Sequence, residues 1–554
     1  MRALFQLIRR FSRDRNANVA LLFGITAVPL LMAVGAGIDY SLATRMKAKL
    51  QSAADAAAVA SISHNSPGYI QAAAMTSDGA VPNGVSDADN IFKGVVNNLR
   101  TSIRGGFSGL TESSTVTKTG PILTSAVTFS ALVPTTFMNL FGHANMTVGG
   151  SSSASGSLPP YLNFYLMLDL SGSMGLPSTN AEQTRLSGVN PDDFSVYPNG
   201  CTFACHFQAS NACSNPSVGQ TTNPSGSVKQ AYPTNNYCMG YLISRVGPTA
   251  WNNLLVTNSN YPMKGKSLPS AILTNANSNV APGALNSLIT GNTNSLPNSL
   301  PAVTSCPTEG ATNCIQLRAD AVGFALNATQ AANGVSGLFE TANNKQIIAN
   351  QYRIGLFPFI RYLWTYFDLT NAINGDPTNP STINYAAANL ATLLDTGNGA
   401  NLTNLGSGGT HFENAFPSMN TLITNVGDGT TSAHAKPFVF LVTDGAQNFQ
   451  TCCGFSGSNS ATVMPTGASS YCKPLKDRGI IVSVLYIPYQ TIQNPTTIFS
   501  NEDGVANANI ANIPGSLQDC ASPNFYFEAT TPADITSALT KMFNQALVTA
   551  HITN

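Results

Sequence analysis

Five oxygen-bearing side chains stand out for what their types and spacing can do. Asp169, Ser171 and Ser173 form a D-x-S-x-S run directly after the apolar stretch Tyr161–Leu168. Thr410 follows Gly408-Gly409 where a helical pattern begins, and Asp444 follows the apolar run Pro437–Thr443 and precedes Gly445. Two carboxylates and three hydroxyls are hard donors, suited to Mg²⁺, Ca²⁺ or Mn²⁺ rather than to a soft metal. Mg²⁺ usually keeps several waters, so a site with few protein oxygens leaves a position for an outside ligand. A carboxylate from a protein partner fits that position. A lone D-x-S-x-S reads as an Asx-turn at a helix start. The metal reading rests on three elements in order, each at a plausible element boundary.

These residues need a scaffold that brings them together. The apolar runs at 161–168, 352–359, 437–443 and 479–487 predict strands, with a further short strand over 524–528. Helical patterns at 314–332, 412–426, 471–478 and 532–547 alternate with them. Strands alternating with helices imply βαβ units, and unbroken apolar strands imply a mostly parallel sheet covered on both faces. The expected fold class is therefore α/β and doubly wound. In such sheets ligands bind beyond the carboxyl ends of the strands, where Asp169 and Asp444 fall. A polar stretch over 175–312, rich in Asn, Ser, Pro and Gly, reads as an insertion after the first strand.

All ten cysteines lie at or beyond Cys201, in three clusters: Cys201, Cys205, Cys213 and Cys238; Cys306 and Cys314; and Cys452, Cys453, Cys472 and Cys520. An even number on one side of a membrane segment reads as disulfides formed in an oxidising compartment. Connectivity does not follow from sequence; pairing largely within each cluster is the expectation, and it makes the insertion a stapled subdomain. Cys201 to His206 is one residue too long for a C-x-x-C-H haem site, so disulfides are preferred there over haem or zinc.

Residues 19–38 are apolar and uncharged, about the length that spans a bilayer as a helix. Arg2, Arg9, Arg10, Arg13 and Arg15 precede them, opposed only by Asp14. Cationic flanks stay cytoplasmic, which predicts a cytoplasmic segment 1–18 and the bulk of the chain outside. The run is longer than a signal-peptide core, so a retained anchor is preferred over cleavage after Ala33-Val34-Gly35. Beyond it, Leu42, Met46, Leu50, Ala54 and Ala58 recur at four-residue steps and predict that the helix continues as a stalk to Ile62. Strand-like alternation at 114–118, 122–132 and 145–153, with a helical patch over 88–100, predicts a small α+β region within 39–157. A linker over 154–160 follows.

The chain has 554 residues, with 26 basic and 26 acidic side chains, and only 9% of its residues are charged. The first eighteen residues hold five of the bases and one of the acids, so the remainder carries a net charge of −4. No basic stripe is present to neutralise phosphates, which argues against nucleic acid as a partner. The 43% hydrophobic content is enough for real cores.

The D-x-S-x-S run, Thr410 and Asp444 in VTDG together resemble the metal-ion-dependent adhesion site of von Willebrand factor A domains. The resemblance implies that Ser171, Ser173 and Thr410 bind the ion directly, and that Asp169 and Asp444 act through water. It implies a von Willebrand A-like domain over 158–554, with the 175–312 insertion as its departure from the pattern. Residues 13–20, the span, Asp39-Tyr40 and Leu50 to Ala58 resemble the TadE/TadG family of tight-adherence (Flp) pilus assembly. TadG-type members join such an anchor to a von Willebrand A domain. Related pseudopilins are cut after Gly; here Ala17 stands in that place with no Glu beside it, so no such cleavage is expected.

Three functions follow as expectations. The first is a non-enzymatic, envelope-anchored assembly or adhesion factor, in the bacterial inner membrane with its bulk in the periplasm. The second is a structural subunit stabilised by the metal. The third is a metal-dependent hydrolase. Asp169 after a strand resembles a haloacid-dehalogenase-type nucleophile, but Ser171 stands where that chemistry needs a second acid. There is no G-x-S-x-G, H-E-x-x-H or P-loop. Of the six histidines only His411 lies beside a candidate ligand, as a possible base.

Overall fold

The computed structural model describes residues 17–188 apart from 76 and 103–105, the short pieces 218–222, 228–233 and 238–249, and residues 303–552 apart from 349, 395–403, 407, 450–461, 490 and 493–501. The chain divides into two compact units, with the boundary between Pro159 and Pro160.

The first unit is organised by one helix, α1 (Ala17–Ala60). At 1.5 Å per residue it is about 66 Å long. It is long and apolar enough to cross a membrane. Leu22, Phe23, Ile25, Leu30, Leu31 and Val34 along its first half are exposed. Its second half buries Ala43, Met46, Leu50, Ala53, Ala54, Ala57 and Ala58. Leu42, expected in that row, is exposed. A strict four-residue step drifts round a helix of 3.6 residues per turn, so the buried row alternates steps of three and four.

This row packs on an antiparallel sheet, in the order β1 (Gly79–Ala80), β2 (Ser108–Thr119), β3 (Ile122–Pro134), β4 (Asn145–Ser157). Helices α2 (Pro67–Ala74) and α3 (Pro82–Ser102) complete the unit. Strand β3 alternates, burying Leu123, Val127, Phe129, Ala131 and Val133, as expected of a sheet with one face on a core. The expected linker at 154–160 starts later than its Ser/Gly composition implied. Residues 154–157 pair with β3, Ser157 lying opposite Ile122.

One polar residue of α1 is buried, Asp39. Its carboxylate accepts the backbone N–H groups of Thr136 (2.9 Å), Phe137 (2.9 Å) and Met138 (2.7 Å) in the β3–β4 turn. Burial pushes its pKa up, and the three N–H donors outweigh that and hold it below the ordinary carboxylate value.

The second unit is a six-stranded sheet in the order β12-β11-β10-β5-β8-β9. Strands β5 (Leu162–Asp169), β8 (Tyr352–Phe359), β10 (Lys436–Thr443), β11 (Ile481–Tyr486) and β12 (Tyr526–Glu528) are mutually parallel. Edge strand β9 (Phe367–Thr370) runs antiparallel to β8. Within β5, Phe164, Leu166 and Leu168 enter one core and Tyr165 and Met167 another. The first core takes α6 (Arg318–Asn327), α7 (Leu338–Lys345), α8 (Ile383–Ala388) and α13 (Pro532–Ile552); the second takes α9 (Phe412–Leu422), α10 (Lys473–Asp477) and α12 (Ile513–Cys520). Both faces are therefore dry, which is why these strands are apolar without alternation. The expected strands are present within two residues of their expected bounds. The expected helix over 314–332 begins only at Arg318, because the residues before it serve the insertion.

Described parts of the 175–312 insertion are α4 (Asn180–Ser187), a hairpin of β6 (Val218–Thr222) and β7 (Val228–Pro233), and α5 (Cys238–Val246). Its two ends meet: Pro177 bridges Leu317, the Ser178 N–H donates to the Gln316 carbonyl at 2.9 Å, and the Arg318 N–H to the Leu176 carbonyl at 3.0 Å. Disulfides join Cys306 to Cys314 and Cys472 to Cys520, each within its cluster as expected. Cys201, Cys205, Cys213, Cys452 and Cys453, and with them the Cys201–His206 question, lie outside the described residues.

Replacing Asp39 with Ala leaves three buried N–H groups without their acceptor. We expect a loss of about 1–3 kcal/mol, read as a lowered denaturation midpoint of the first unit in detergent. Because the folded pKa is lowered, this contribution is present above the unfolded value. The gap between wild type and Asp39→Asn should close as pH falls below about 4.

Candidate metal centre

Strands β5 and β10 are adjacent and in register, Leu168 lying opposite Val442. Asp169 follows Leu168 directly, and Asp444 comes one residue later along its strand, after Thr443, so both acids leave the sheet at its carboxyl edge. Both are buried, as are Ser171, Ser173 and Thr410.

Asp169 is held from two sides. Its Oδ1 accepts the Ser171 N–H at 3.0 Å and its Oδ2 accepts the Thr443 hydroxyl at 2.6 Å. The Thr443 hydroxyl in turn accepts the Gly445 N–H at 2.8 Å, so the turn after β10 aims the donor at Asp169. Gly445 has φ of +77°, a conformation that favours glycine. The hydroxyls of Ser171 and Ser173 lie 3.2 Å apart. Burial, together with the Asp444 charge, pushes Asp169 up to about 7.

The ion pair of Asp444 uses one oxygen only. Its Oδ2 accepts Arg318 Nη1 at 2.9 Å in a fully buried pair. Its Oδ1 is buried with no hydrogen-bond partner. Burial raises its pKa, against the pull of Arg318, the Ser173 hydroxyl and the Ala446 backbone. Arg318 also donates to the Pro488 carbonyl at 3.0 Å and lies over the Tyr489 ring.

Thr410 comes to the same edge through the backbone. It exchanges two hydrogen bonds with Asn448, four residues past Asp444, at 2.9 and 3.1 Å. Gly408 and Gly409 both take positive φ and turn the chain into α9. His411 directs Nδ1 at Glu413 Oε1 (2.6 Å) and Nε2 at the Gly408 carbonyl (3.1 Å). Both ring nitrogens are engaged by groups of the same loop and helix start, so this geometry gives no support to a hydrolase built on His411.

Asp169, Ser171, Ser173 and Asp444 are thus joined by direct or electrostatic contact, and Thr410 is tied to the Asp444 loop. Sequence reading missed Arg318 and Thr443. A signal for Arg318 existed: a cation in the first turn of a helix opposes the helix dipole, so one placed there in a sparsely charged chain calls for an anion.

The donor set fits a divalent cation. A buried carboxylate oxygen without a donor and a second carboxylate raised by burial and by the Asp444 charge are both relieved by one positive charge, and two neighbouring hydroxyls add neutral oxygen donors. Among the described residues no group of three or more His, Cys, Asp or Glu side chains forms an alternative centre.

Residues 17–64 match the family described as Tad, Flp pilus-assembly TadE/G-like. The chain carries a TadE/G-like segment at its N-terminus. That segment covers all of α1 and ends before the first sheet. Among solved structures, the chain is similar to the vWF domain of the type V pili tip protein Mfa5 from Porphyromonas gingivalis. That match has 11% identity, covers 42% of this chain and 89% of that one, and has a TM-score of 0.24. The PilB minor pilin from Streptococcus sanguinis matches at 9% identity over 80% of this chain and 79% of that one, TM-score 0.26. At such scores these likenesses assign no residue in this chain. No curated protein matches it.

In the metal-free protein, the raised Asp169 pKa means that the folded state holds its proton more tightly than the unfolded state. The associated stability is present below the unfolded value and is lost as pH rises through about 7. We expect the melting temperature of the chelated wild type, measured relative to Asp169→Asn, to fall between about pH 4 and pH 7 and then level off. Arg318→Gln should destabilise by about 3–5 kcal/mol by leaving Asp444 buried and unpaired, measured by denaturant titration at pH 8.

Proposed function

We propose that this chain is a membrane-anchored, envelope-exposed component of tight-adherence (Flp) pilus assembly or adhesion, and that it binds a protein partner through a metal-ion-dependent adhesion site. In this reading α1 crosses the bacterial inner membrane with residues 1–18 cytoplasmic. Residues 158–554 form a von Willebrand A-like doubly wound domain whose disulfide-bearing insertion is 175–312. Asp169, Ser171, Ser173, Thr410 and Asp444 hold Mg²⁺, or Ca²⁺ or Mn²⁺ in its place. The TadE/G-like segment supports the pilus role. The observation that carries the site is Asp444 Oδ1, buried without a donor in a carboxylate that interacts with Ser173 and Asp169.

Charge arithmetic supports an outside anion as the last ligand. Asp169 and Asp444 carry two negative charges when ionised, and Arg318 offsets one. The residues alone sum to −1. A divalent cation would bring the site to +1 and supply an open coordination position. A carboxylate from the partner then restores neutrality. Arg318 keeps Asp444 from neutralising the ion alone, and Thr443 and the Ser171 N–H hold Asp169 in place.

A second reading has its own observation. All five residues are at most 5% exposed, which suits a cation that stabilises the fold without meeting a partner. The two readings separate in one experiment. Mg²⁺ at a hundredfold excess over its Kd should stabilise wild type by about 2.7 kcal/mol and leave Ser171→Ala/Ser173→Ala unmoved. Under the adhesion reading, pilus subunits from envelope extracts should be retained in Mg²⁺ and released by chelator. A thermal shift without Mg²⁺-dependent retention favours the structural reading. No shift in wild type would sink both.

A further inference from the structure

The turn between β3 and β4 carries the sequence Phe137-Met138-Asn139-Leu140-Phe141. Phe137 is 39% exposed, Leu140 77% and Phe141 49%. Elsewhere among the described residues of the first unit past the apolar run, the exposed large apolar side chains are Tyr40 and Leu42 on α1 and the isolated Val59, Ile70 and Ile122. Three within five residues form a patch.

The position of this patch is fixed by α1. Asp39, the first residue after the apolar run 19–38, accepts the N–H groups of Thr136, Phe137 and Met138. Phe137 also seats on Gly35: a Cβ built there would lie 2.5 Å from the Phe137 Cβ. Gly35 is one helical turn, about 6 Å, nearer the middle of the apolar run than Asp39. The turn therefore reaches past Asp39 alongside the last turn of that run, level with exposed Val34 and Ile38. Its apolar side chains continue the apolar surface of the span. Asp39 can occupy this boundary because its charge is met by three backbone donors. Exposed Tyr40 beside it suits the polar-apolar interface where Tyr is enriched.

We infer that the 137–141 turn dips into the outer-leaflet interface of the bilayer, so that the first unit rests on the membrane through a second contact besides α1. The occupant is lipid because the patch is continuous with the span. This rests on α1 being a membrane anchor, and the test separates the two claims.

The full chain is reconstituted into liposomes with and without brominated lipid, in single tryptophan-addition variants, each read as the difference from the unsubstituted chain. Leu30→Trp reports the span and Leu140→Trp the turn. Val59→Trp, about 30 Å along α1 beyond Asp39, reports water. We expect brominated lipid to quench Leu140→Trp to an extent comparable to Leu30→Trp, with blue-shifted emission, and to leave Val59→Trp unchanged. Quenching of Leu30→Trp alone overturns the turn proposal while the anchor stands, and leaves a protein partner to cover the patch. No quenching of Leu30→Trp overturns the anchor and the turn together.

Discussion

Two carboxylates leave adjacent parallel strands at the same end of one sheet, and both are buried. Asp169 and Asp444 repel each other in a medium that penalises each charge. Much of what surrounds the sheet edge answers that constraint. Thr443 turns its hydroxyl to Asp169, Gly445 bends the chain so that the hydroxyl is held, and Arg318 reaches Asp444. Arg318 arrives there because the insertion closes on itself. Its ends pair through Pro177 and Leu317, and the next residue starts α6. The closure is fastened by the Cys306–Cys314 disulfide and by the buried bidentate pair of Arg245 with Asp320. The insertion is therefore not an appendage to the site. Its closing seam supplies the site's one compensating cation.

The low charge content takes on meaning in this light. With 9% of its residues charged, the chain nonetheless buries Asp39, Asp169, Glu182, Arg245, Arg318, Asp320 and Asp444. Each sits where two distant segments join: α1 with the β3–β4 turn, the two ends of the insertion, and two strand ends with α6. Surface ion pairs contribute little to stability, whereas breaking a buried pair is costly. These seven buried charges sit at seams between segments.

Legibility followed physical distinctness. The strands β5, β8, β10 and β11 were readable because a strand buried on both faces is an unbroken apolar run. So was α1, whose uncharged stretch and Ala-rich continuation have few alternative readings. Strand β9 was not: four half-exposed residues containing Asp368 at a sheet edge carry no pattern. Helix α12 escaped because Pro514 and Gly515 in its first turn resemble a loop. The D-x-S-x-S run, Thr410 and Asp444 were visible because side chains of one chemistry recur at strand and helix ends. Arg318 and Thr443 were not, since their role comes from a contact across 126 residues for one and 274 for the other. Sequence spacing names candidate ligands; it does not name what balances them.

The buried acids also differ in how completely they are served, and that difference separates fastening from function. Asp39 takes three backbone N–H donors. Asp320 takes both ends of Arg245 and the N–H groups of Cys306 and Leu317. Glu182 takes Arg185 and the N–H groups of Gly310 and Gln316. Each of these carboxylates is saturated, as a carboxylate with only a structural duty must be to offset its desolvation. Asp444 has one oxygen fully engaged and the other without a donor. The same fold that supplies as many as four donors to Asp320 leaves one oxygen of Asp444 without any. A shortage placed at the end of the central strands, where parallel sheets bind their ligands, is the physical reason for assigning the site to Asp444 and its neighbours and not to the other buried acids.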